Sequence, residues 1–349
     1  MATVSGTQSY LAWAQEATFG TPIAVGSLLT AGNLRTGDVF SIPSNVRPRL
    51  STGGTLAMPS AAASWREYSI VDWSASFEFA NAAAWQPLIC AAFGQLTLVG
   101  FVRTYTPVNP YFRVAGDGTP ATYLYNHLLT LRHCFSGSTG WQIIDAAVSQ
   151  FTLSVGMDSP AIIGFAGKGH KFTAETGTQP TFAEISGAVF PWNKYGMTAN
   201  AGIYLSDTSN VLNTVGQALP LKRMTFTLDN NIQYEPLMAI AAGSEMRAPT
   251  RGSLASAMIQ VETLYDTGMT QMDADEIFAL FAAGTNVNFR ARGWNSATDI
   301  IDLDVKNASG ILQAPKIAIN GDGIVGFTFG VAVMPVSIGD LTLTTTGAA

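Results

Sequence analysis

Residues 223–229 read Arg-Met-Thr-Phe-Thr-Leu-Asp, with Met224, Phe226 and Leu228 alternating against Arg223, Thr225, Thr227 and Asp229. Side chains two apart on a strand share a face, so this stretch predicts a strand with one apolar and one wet side. Residues 150–155, Gln-Phe-Thr-Leu-Ser-Val, do the same, with Phe151, Leu153 and Val155 against Thr152 and Ser154. Outward from these two, further strands are expected over 69–79, 128–135, 256–265, 286–292, 300–305, 314–319 and 324–333. Turn residues punctuate them: Ser136-Gly137, Asp229-Asn230-Asn231 and Asn320-Gly321-Asp322-Gly323.

Two short Ala-rich stretches read as helices, 81–93 (NAAAWQPLICAAF) and 273–283 (DADEIFALFAA), each running into a glycine, Gly94 or Gly284. The second opens on carboxylates, which suit the positive end of a helix dipole. Pro87 weakens the first and is compatible with an early break.

The helices expose a repeat. Each is preceded by an alternating strand, 74–79 or 255–261, and each unit closes on a similar one, 150–155 or 326–331. Each also opens alike, Val-Phe-Ser-Ile at 39–42 and Thr-Phe-Thr-Leu at 225–228. The order strand, strand, helix, strands therefore occurs twice, as a tandem duplication. The expected division is an N-terminal arm (1–32), a first unit (33–172), a polar Gly- and Pro-bearing linker (173–184) and a second unit (185–349). The fold class is mainly β, two β-sandwich or barrel-like units with one short helix each.

Composition bounds the function. Of 349 residues 47% are hydrophobic and 12% charged, which points to large contact surfaces and a homo-oligomer. The net charge of −6, without a basic run, argues against a protein that holds nucleic acid through its phosphates. Cys90 and Cys134 sit in apolar surroundings and read as two buried thiols. The start lacks a signal-peptide pattern and no apolar run reaches the roughly 18–20 residues of a membrane span, so folding in a cytosol is expected.

Catalytic chemistry finds little support. The histidines are His127, His133 and His170; His133 and Cys134 are adjacent on a strand and so point to opposite faces. The spacings HxxxH, CxxC and HExxH are missing, so neither a metal nor a cofactor is expected. Asp299, Asp302 and Asp304 form the best carboxylate cluster; Asp302 and Asp304 would lie about 7 Å apart on one strand face, in the range of an inverting glycosidase but also ordinary for a solvated strand. The stretch 320–323 reads as a hairpin turn, and Gly164-Phe-Ala-Gly167-Lys-Gly169 as a loop. Trp65, Trp73 and Trp85 stand apart from basic residues and read as packing groups. The chain is not expected to be an enzyme.

Residues 15–22, Gln-Glu-Ala-Thr-Phe-Gly-Thr-Pro, resemble the N-terminal segment of tail tube proteins from long-tailed phages. Further residues are similar to the larger members of that family: Phe77-Glu-Phe79 with Leu88 and Ala91-Ala92-Phe93-Gly94; then 224–231, Gly243-Ser244, and Pro249-Thr-Arg-Gly252 leading into a strand. The likeness spans residues 10 to 334, and the turn-rich stretch 101–124 departs from it. It implies a virion tail protein assembled in the host cytoplasm, stacking as rings around a wide β-barrel through which double-stranded DNA slides. A chain of two repeats would close a ring with three copies, a homotrimer of pseudo-hexameric symmetry, and would meet tape-measure and tail-completion proteins. In that setting residues 1–25, too broken by Gly20 and Pro22 to order alone, would lie across a neighbour, with Glu16, Phe19, Gly20 and Pro22 at the subunit interface. Thr225, Thr227 and Asp229, with Gln260 and Glu262, are the candidates to face the lumen; alternation defines their face without saying whether it lines a pore or the outside. Two other readings stay open: a ring component that does not stack, such as a terminator, baseplate or secretion-tube part, and a carbohydrate-active β-sandwich enzyme using Asp302 and Asp304.

Overall fold

The computed structural model describes residues 9–17, 20–30, 40–41, 46–47, 65–66, 70–79, 83–107, 127–136, 138–156, 159–181, 202–209, 211–212, 217–219, 222–233, 250–251, 255–264, 272–296, 299–319 and 325–346. The first half holds β1 (Tyr10–Gln15), β2 (Leu29–Thr30), β3 (Phe40–Ser41), β4 (Val46–Arg47), β5 (Trp65–Arg66), β6 (Val71–Glu78), α1 (Gln86–Phe93), β7 (Gly94–Val99), β8 (Val102–Pro107), β9 (Leu129–Ser136), β10 (Thr139–Gly156) and β11 (Ser159–Thr176). The second holds β12 (Gly202–Ser206), β13 (Ala218–Leu219), β14 (Arg223–Asp229), β15 (Ile232–Gln233), β16 (Thr250–Arg251), β17 (Ser256–Leu264), α2 (Ala274–Ala282), β18 (Asn286–Ser296), β19 (Asp299–Ile319), β20 (Val325–Val333) and β21 (Leu341–Thr346). The fold is mainly β, and its strand pairs are antiparallel.

The pairings repeat. In the first half β1 pairs with β2 and β9, β9 with β10, β10 with β11, β11 with β6 and β6 with β3. In the second half β12 pairs with β13 and β18, β18 with β19, β19 with β20, β20 with β17 and β17 with β14. Two-stranded pairs β4–β5 and β15–β16 sit at matching places in the order. This revises two sequence expectations. Tyr10–Gln15, assigned to the arm, is a strand of the first unit, because Leu11, Ala12 and Trp13 are fully buried and β12 repeats its pairing. Residues 150–155 belong to β10, whose counterpart is β19 and not the 326–331 strand: β10 and β19 lie second from the pre-helix strands, whereas β11 and β20 pair with them directly.

The counterparts β10 and β19 each bend at one place. Asp145 in β10 and Asn307 and Ala308 in β19 take positive φ (52°, 55° and 54°), and beyond each bend the strand changes partners. Residues 164–169, expected as a loop, are strand β11, and the glycines are there for clearance. A Cβ on Gly167 would stand 1.9 Å from the Ala147 carbonyl oxygen beside the β10 bulge, and one on Gly164 would meet Thr152 Oγ1 at 2.4 Å. Thr173–Thr176 likewise continue β11 instead of opening the linker. The 320–323 turn, Phe19 and residues 108–126 lie outside the described residues.

The helices differ in setting. α1 starts after a 3-10 turn (Ala83–Trp85) with Pro87 in its first turn, where the missing N–H disrupts nothing, and Gly94 closes it at φ 91°. Its residues from Leu88 to Phe93 are buried in a core shared by both halves. Trp13 stacks on Trp85 (5.3 Å between centroids) and its Nε1 donates to the Ala84 carbonyl at 2.8 Å. α2 has a capping box: Asp273 accepts from Glu276 N at 3.0 Å while Glu276 accepts from Asp273 N at 3.2 Å. Only Ala274 and Ile277 of α2 are buried. Cys90 and Cys134 are free and buried, as their surroundings suggested.

Candidate functional site: a wide polar sheet face

The two units join through β10 and β14, which pair in register from Gln150–Asp229 to Gly156–Arg223. Asn230 locks the seam: its N–H donates to the Ser149 carbonyl (2.7 Å) and its Nδ2 to the Ala92 carbonyl near the end of α1 (2.6 Å). Followed strand by strand, one sheet therefore runs β3–β6–β11–β10–β14–β17–β20–β19 across both halves. The pairings branch toward other strands but do not return to join β19 to β3 among the described residues.

Alternation gives this sheet two unlike faces. Trp73, Phe77, Ile163, Phe165, Phe151, Leu153, Phe226, Ile259 and Phe329 turn inward and are buried. The opposite face carries mostly small and polar groups, with Ile162 and Met258 among them, in continuous cross-strand rows. Ser76, Gly164, Thr152, Thr227 and Met258 make one row; Glu78, Ile162, Ser154, Thr225, Gln260, Gly330 and Gln313 make the next. All five residues expected on a lumen-facing side, Thr225, Thr227, Asp229, Gln260 and Glu262, share this face, and each is at least partly exposed. Ser154 and Thr225 hydroxyls meet across the seam at 3.5 Å, and Lys222 Nζ bonds Glu262 Oε1 at 2.7 Å. Over the second half the face forms a hollow of about 620 Å³ lined by Arg223, Thr225, Gln260, Glu262, Gln313 and Lys316 among others. Charge on the face alternates in sign: Asp72, Glu78, Asp229 and Glu262 stand among Lys168, Arg223 and Lys316. A phosphate backbone would find no run of cations there to grip.

The N-terminal residues are placed less uniformly. Pro22 is exposed and Gly20 partly so, whereas Glu16 is 2% exposed and points into its own chain, out of a neighbour's reach. Its Oε1 accepts from Thr130 Oγ1 (2.8 Å) and from Asp145 N (3.0 Å) at the β10 bend. The buried Asp145 carboxylate accepts from Gly20 N (2.5 Å) and lies 3.3 Å from His170 Nδ1. Burial first, and the Asp145 charge second, push the Glu16 carboxyl up to about 8. The polarity of Glu16 suggested a surface; the missing signal was Asp145, far away in sequence.

The carboxylate pair is occupied. Asp302 receives a two-point ion pair from Arg290 (2.9 and 2.6 Å), whose Nη1 also donates to the Leu212 carbonyl. Asp304 lies 3.0 Å from Lys306 Nζ; burial raises its carboxyl and Lys306 opposes that. The first ties β18 to β19 and the second lies along β19 itself, and each carboxylate has a cation as its partner. Among the described residues no three His, Cys, Asp or Glu side chains gather to hold a metal ion, and no helix is long and apolar enough to cross a membrane. Sequence reading also passed over two apolar exposures: Leu98, Val99 and Phe101 at the β7–β8 tip, and Met334, Val336 and Ile338 before β21. The run Leu-Thr-Leu-Val-Gly-Phe-Val at 96–102 was the available signal.

No family model matches the sequence, and no curated protein does. Solved structures similar to parts of it include a particle tail and a tail tube. The tail of an empty GTA particle, refined with C6 symmetry, is 12% identical, covering 42% of this chain and 96% of that one, with a TM-score of 0.28. The SPP1 tail tube, a hybrid solid-state NMR and cryo-EM structure, is 8% identical, covering 44% of this chain and 80% of that one, with a TM-score of 0.26. At such values the functional reading has to come from the sheet itself.

Proposed function

We propose that this chain is the subunit of a phage tail tube: three copies close a ring around a polar lumen, rings stack, and double-stranded DNA passes through into the host. The observation that carries the reading is the polar, charge-mixed face spanning eight strands of one chain. Eight strands closed on themselves would make a barrel filled by side chains, a poor place for Thr225, Gln260 and Glu262. Three copies would supply about 24 strands and, at ~4.8 Å per strand, a wall roughly 115 Å around, well beyond the 16 to 18 strands that already enclose a water-filled channel. Thr225, Thr227, Asp229, Gln260 and Glu262 would then face the lumen, where balanced charge lets DNA slide. The sequence resemblance to tail tube proteins supports the same reading, and with it a virion location, assembly in the host cytoplasm, and tape-measure and completion proteins as partners. Gly20 and Pro22 remain available to a neighbouring subunit, and no chemistry is assigned to the site.

Negative-stain electron microscopy over a rising concentration series tests the proposal. Rings with a central hole and six lobes, stacking into tubes, are expected. Single rings that never stack would favour a terminator or baseplate component, and particles of monomer size throughout would remove the ring reading.

A further inference from the structure

Inside one chain, the second unit attaches to the first by laying β14 along β10. Leu153 stands opposite Phe226 and Thr152 opposite Thr227, and Leu153 and Phe226 are 1% and 0% exposed. Because the chain contains the unit twice, it carries the two halves of that seam a second time, at its opposite edges. Residues 313–319 of β19, the counterpart of the β10 edge, are paired with β20 on one side, and among the described residues no strand lies on the other. β3, the counterpart of β14, is paired with β6 and, among the described residues, with nothing on its outer side.

The equivalence can be fixed residue by residue. Phe40 faces Trp73 as Phe226 faces Ile259, and each phenylalanine is followed by a hydroxyl residue, Ser41 or Thr227. Val46 and Ile232 come equally far after those phenylalanines, and each pairs with an arginine, Arg66 or Arg251, in its small two-stranded sheet. On the other edge, Ile317 faces Phe327 as Leu153 faces Ile163, just past a bulge in each long strand. Yet Ile317 is 50% exposed where Leu153 is buried. An isoleucine on a strand edge that has no partner among the described residues is a surface made for another strand.

We propose that residues 313–319 of β19 in one copy pair antiparallel with β3 of a second copy, with Ile317 opposite Phe40 and Lys316 opposite Ser41, repeating the internal β10–β14 seam. The occupant is this same chain, because the missing strand is one that the chain itself carries, in the register its own interior displays. The contact is head-to-tail, so it propagates around a ring that closes when the rotation permits. It carries the polar face across the junction without a break and sets Lys316 one strand from the exposed Asp72 of the next copy. The inference rests on the reading that copies of this chain join into rings, and it specifies how.

Cysteine cross-linking of the full-length chain tests it, since native Cys90 and Cys134 are buried. A Lys316→Cys, Ser41→Cys double variant should convert most assembled chains to disulfide-linked dimers and trimers on mild oxidation. A Gln313→Cys, Ser41→Cys control, offset by about 7 Å along the strand across the bulge, and so more than about 8 Å away once the strand spacing is added, lies beyond disulfide reach and should stay largely monomeric on a denaturing gel. As a variant that leaves the subunit fold alone, Ile317→Asp should melt as the unaltered chain does while its assembled fraction falls at least tenfold. Rings that form but cross-link equally well in the control pair, or that form undiminished with Ile317→Asp, would overturn the pairing and leave ring formation standing. A chain that stays monomeric at every concentration would overturn both.

Discussion

Leu153 and Ile317 occupy matching places in two versions of one unit, and their surroundings differ by a single strand. Beside Leu153 lies β14, with Phe226 directly opposite, and its side chain is 1% exposed; Ile317 lacks any such neighbour among the described residues and is 50% exposed. The unit leaves one edge to be filled. Within the chain the next unit fills it; beside Ile317, among the described residues, no strand does. A similar contrast separates the helices: α1 packs on β10 and is covered by β7, β8 and β1 as well, whereas α2 packs chiefly on β19, the counterpart of β10, and leaves Phe281 exposed.

The largest effect should come from breaking the filled seam. Leu153→Ala removes buried methyls from the shared core and should cost about 3 kcal/mol in chemical unfolding of the isolated subunit, while Ile317→Ala should cost less than about 0.5 kcal/mol there. Equal losses at the two sites would erase the distinction between a filled and a bare edge.

Next in size is the contrast between the two bends. At the first, Glu16 is buried against Asp145 and its carboxyl is raised from its ordinary value to about 8. The folded state thus holds a proton that the unfolded state gives up. The stability tied to that proton is fully present below the ordinary carboxylate range and is lost as pH rises through about 8. Roughly 4 kcal/mol should disappear between pH 5 and pH 9, and Glu16→Gln should flatten that slope. The second bend uses Asn307, whose Nδ2 donates to Asp340 at 2.6 Å. Burial would raise Asp340, but hydrogen bonds from Asn307 and from the Ser337 and Val336 amides outweigh it and lower its carboxyl. Its contribution is present above the ordinary carboxylate range and fails only in acid. Unfolding measured from pH 2 to pH 9 checks both signs, and a Glu16→Gln profile parallel to the unaltered chain would contradict the assignment.

A third test concerns clearance. Gly167→Ala forces a methyl onto the Ala147 carbonyl and should lower stability by about 2 kcal/mol. The matching residue in the second unit is Val331, which faces Ile259 as Gly167 faces Trp73 and already has a side chain. A neutral Gly167→Ala would mean that the β10 bulge can move aside.

Much of this was readable in the chain. Period-two alternation located the strands around Phe151 and Phe226, and Asp273 announced the start of α2 within one residue. The lumen candidates fell on one face because alternation determines facing directly. Other features resisted for physical reasons. Leu11-Ala-Trp-Ala14 is apolar throughout, so it shows no alternation, and buried strands of that kind do not announce themselves. The two strands of a hairpin share the same alternation, so 150–155 could be matched to 326–331 although pairing assigns it to β19. Glycines 164, 167 and 169 suggested a loop, because sequence records the missing side chain and not the backbone that needs the room. The bare edge at Ile317 emerges only when the two halves are superposed by register.

Sedimentation of the purified chain over rising concentration tests the central claim most directly. A head-to-tail seam that closes after three copies predicts a step from the 36.9 kDa monomer to a particle of roughly 110 kDa and its multiples, with little dimer in between. A monomer at all concentrations, or a compact dimer that takes up no third copy, would contradict it.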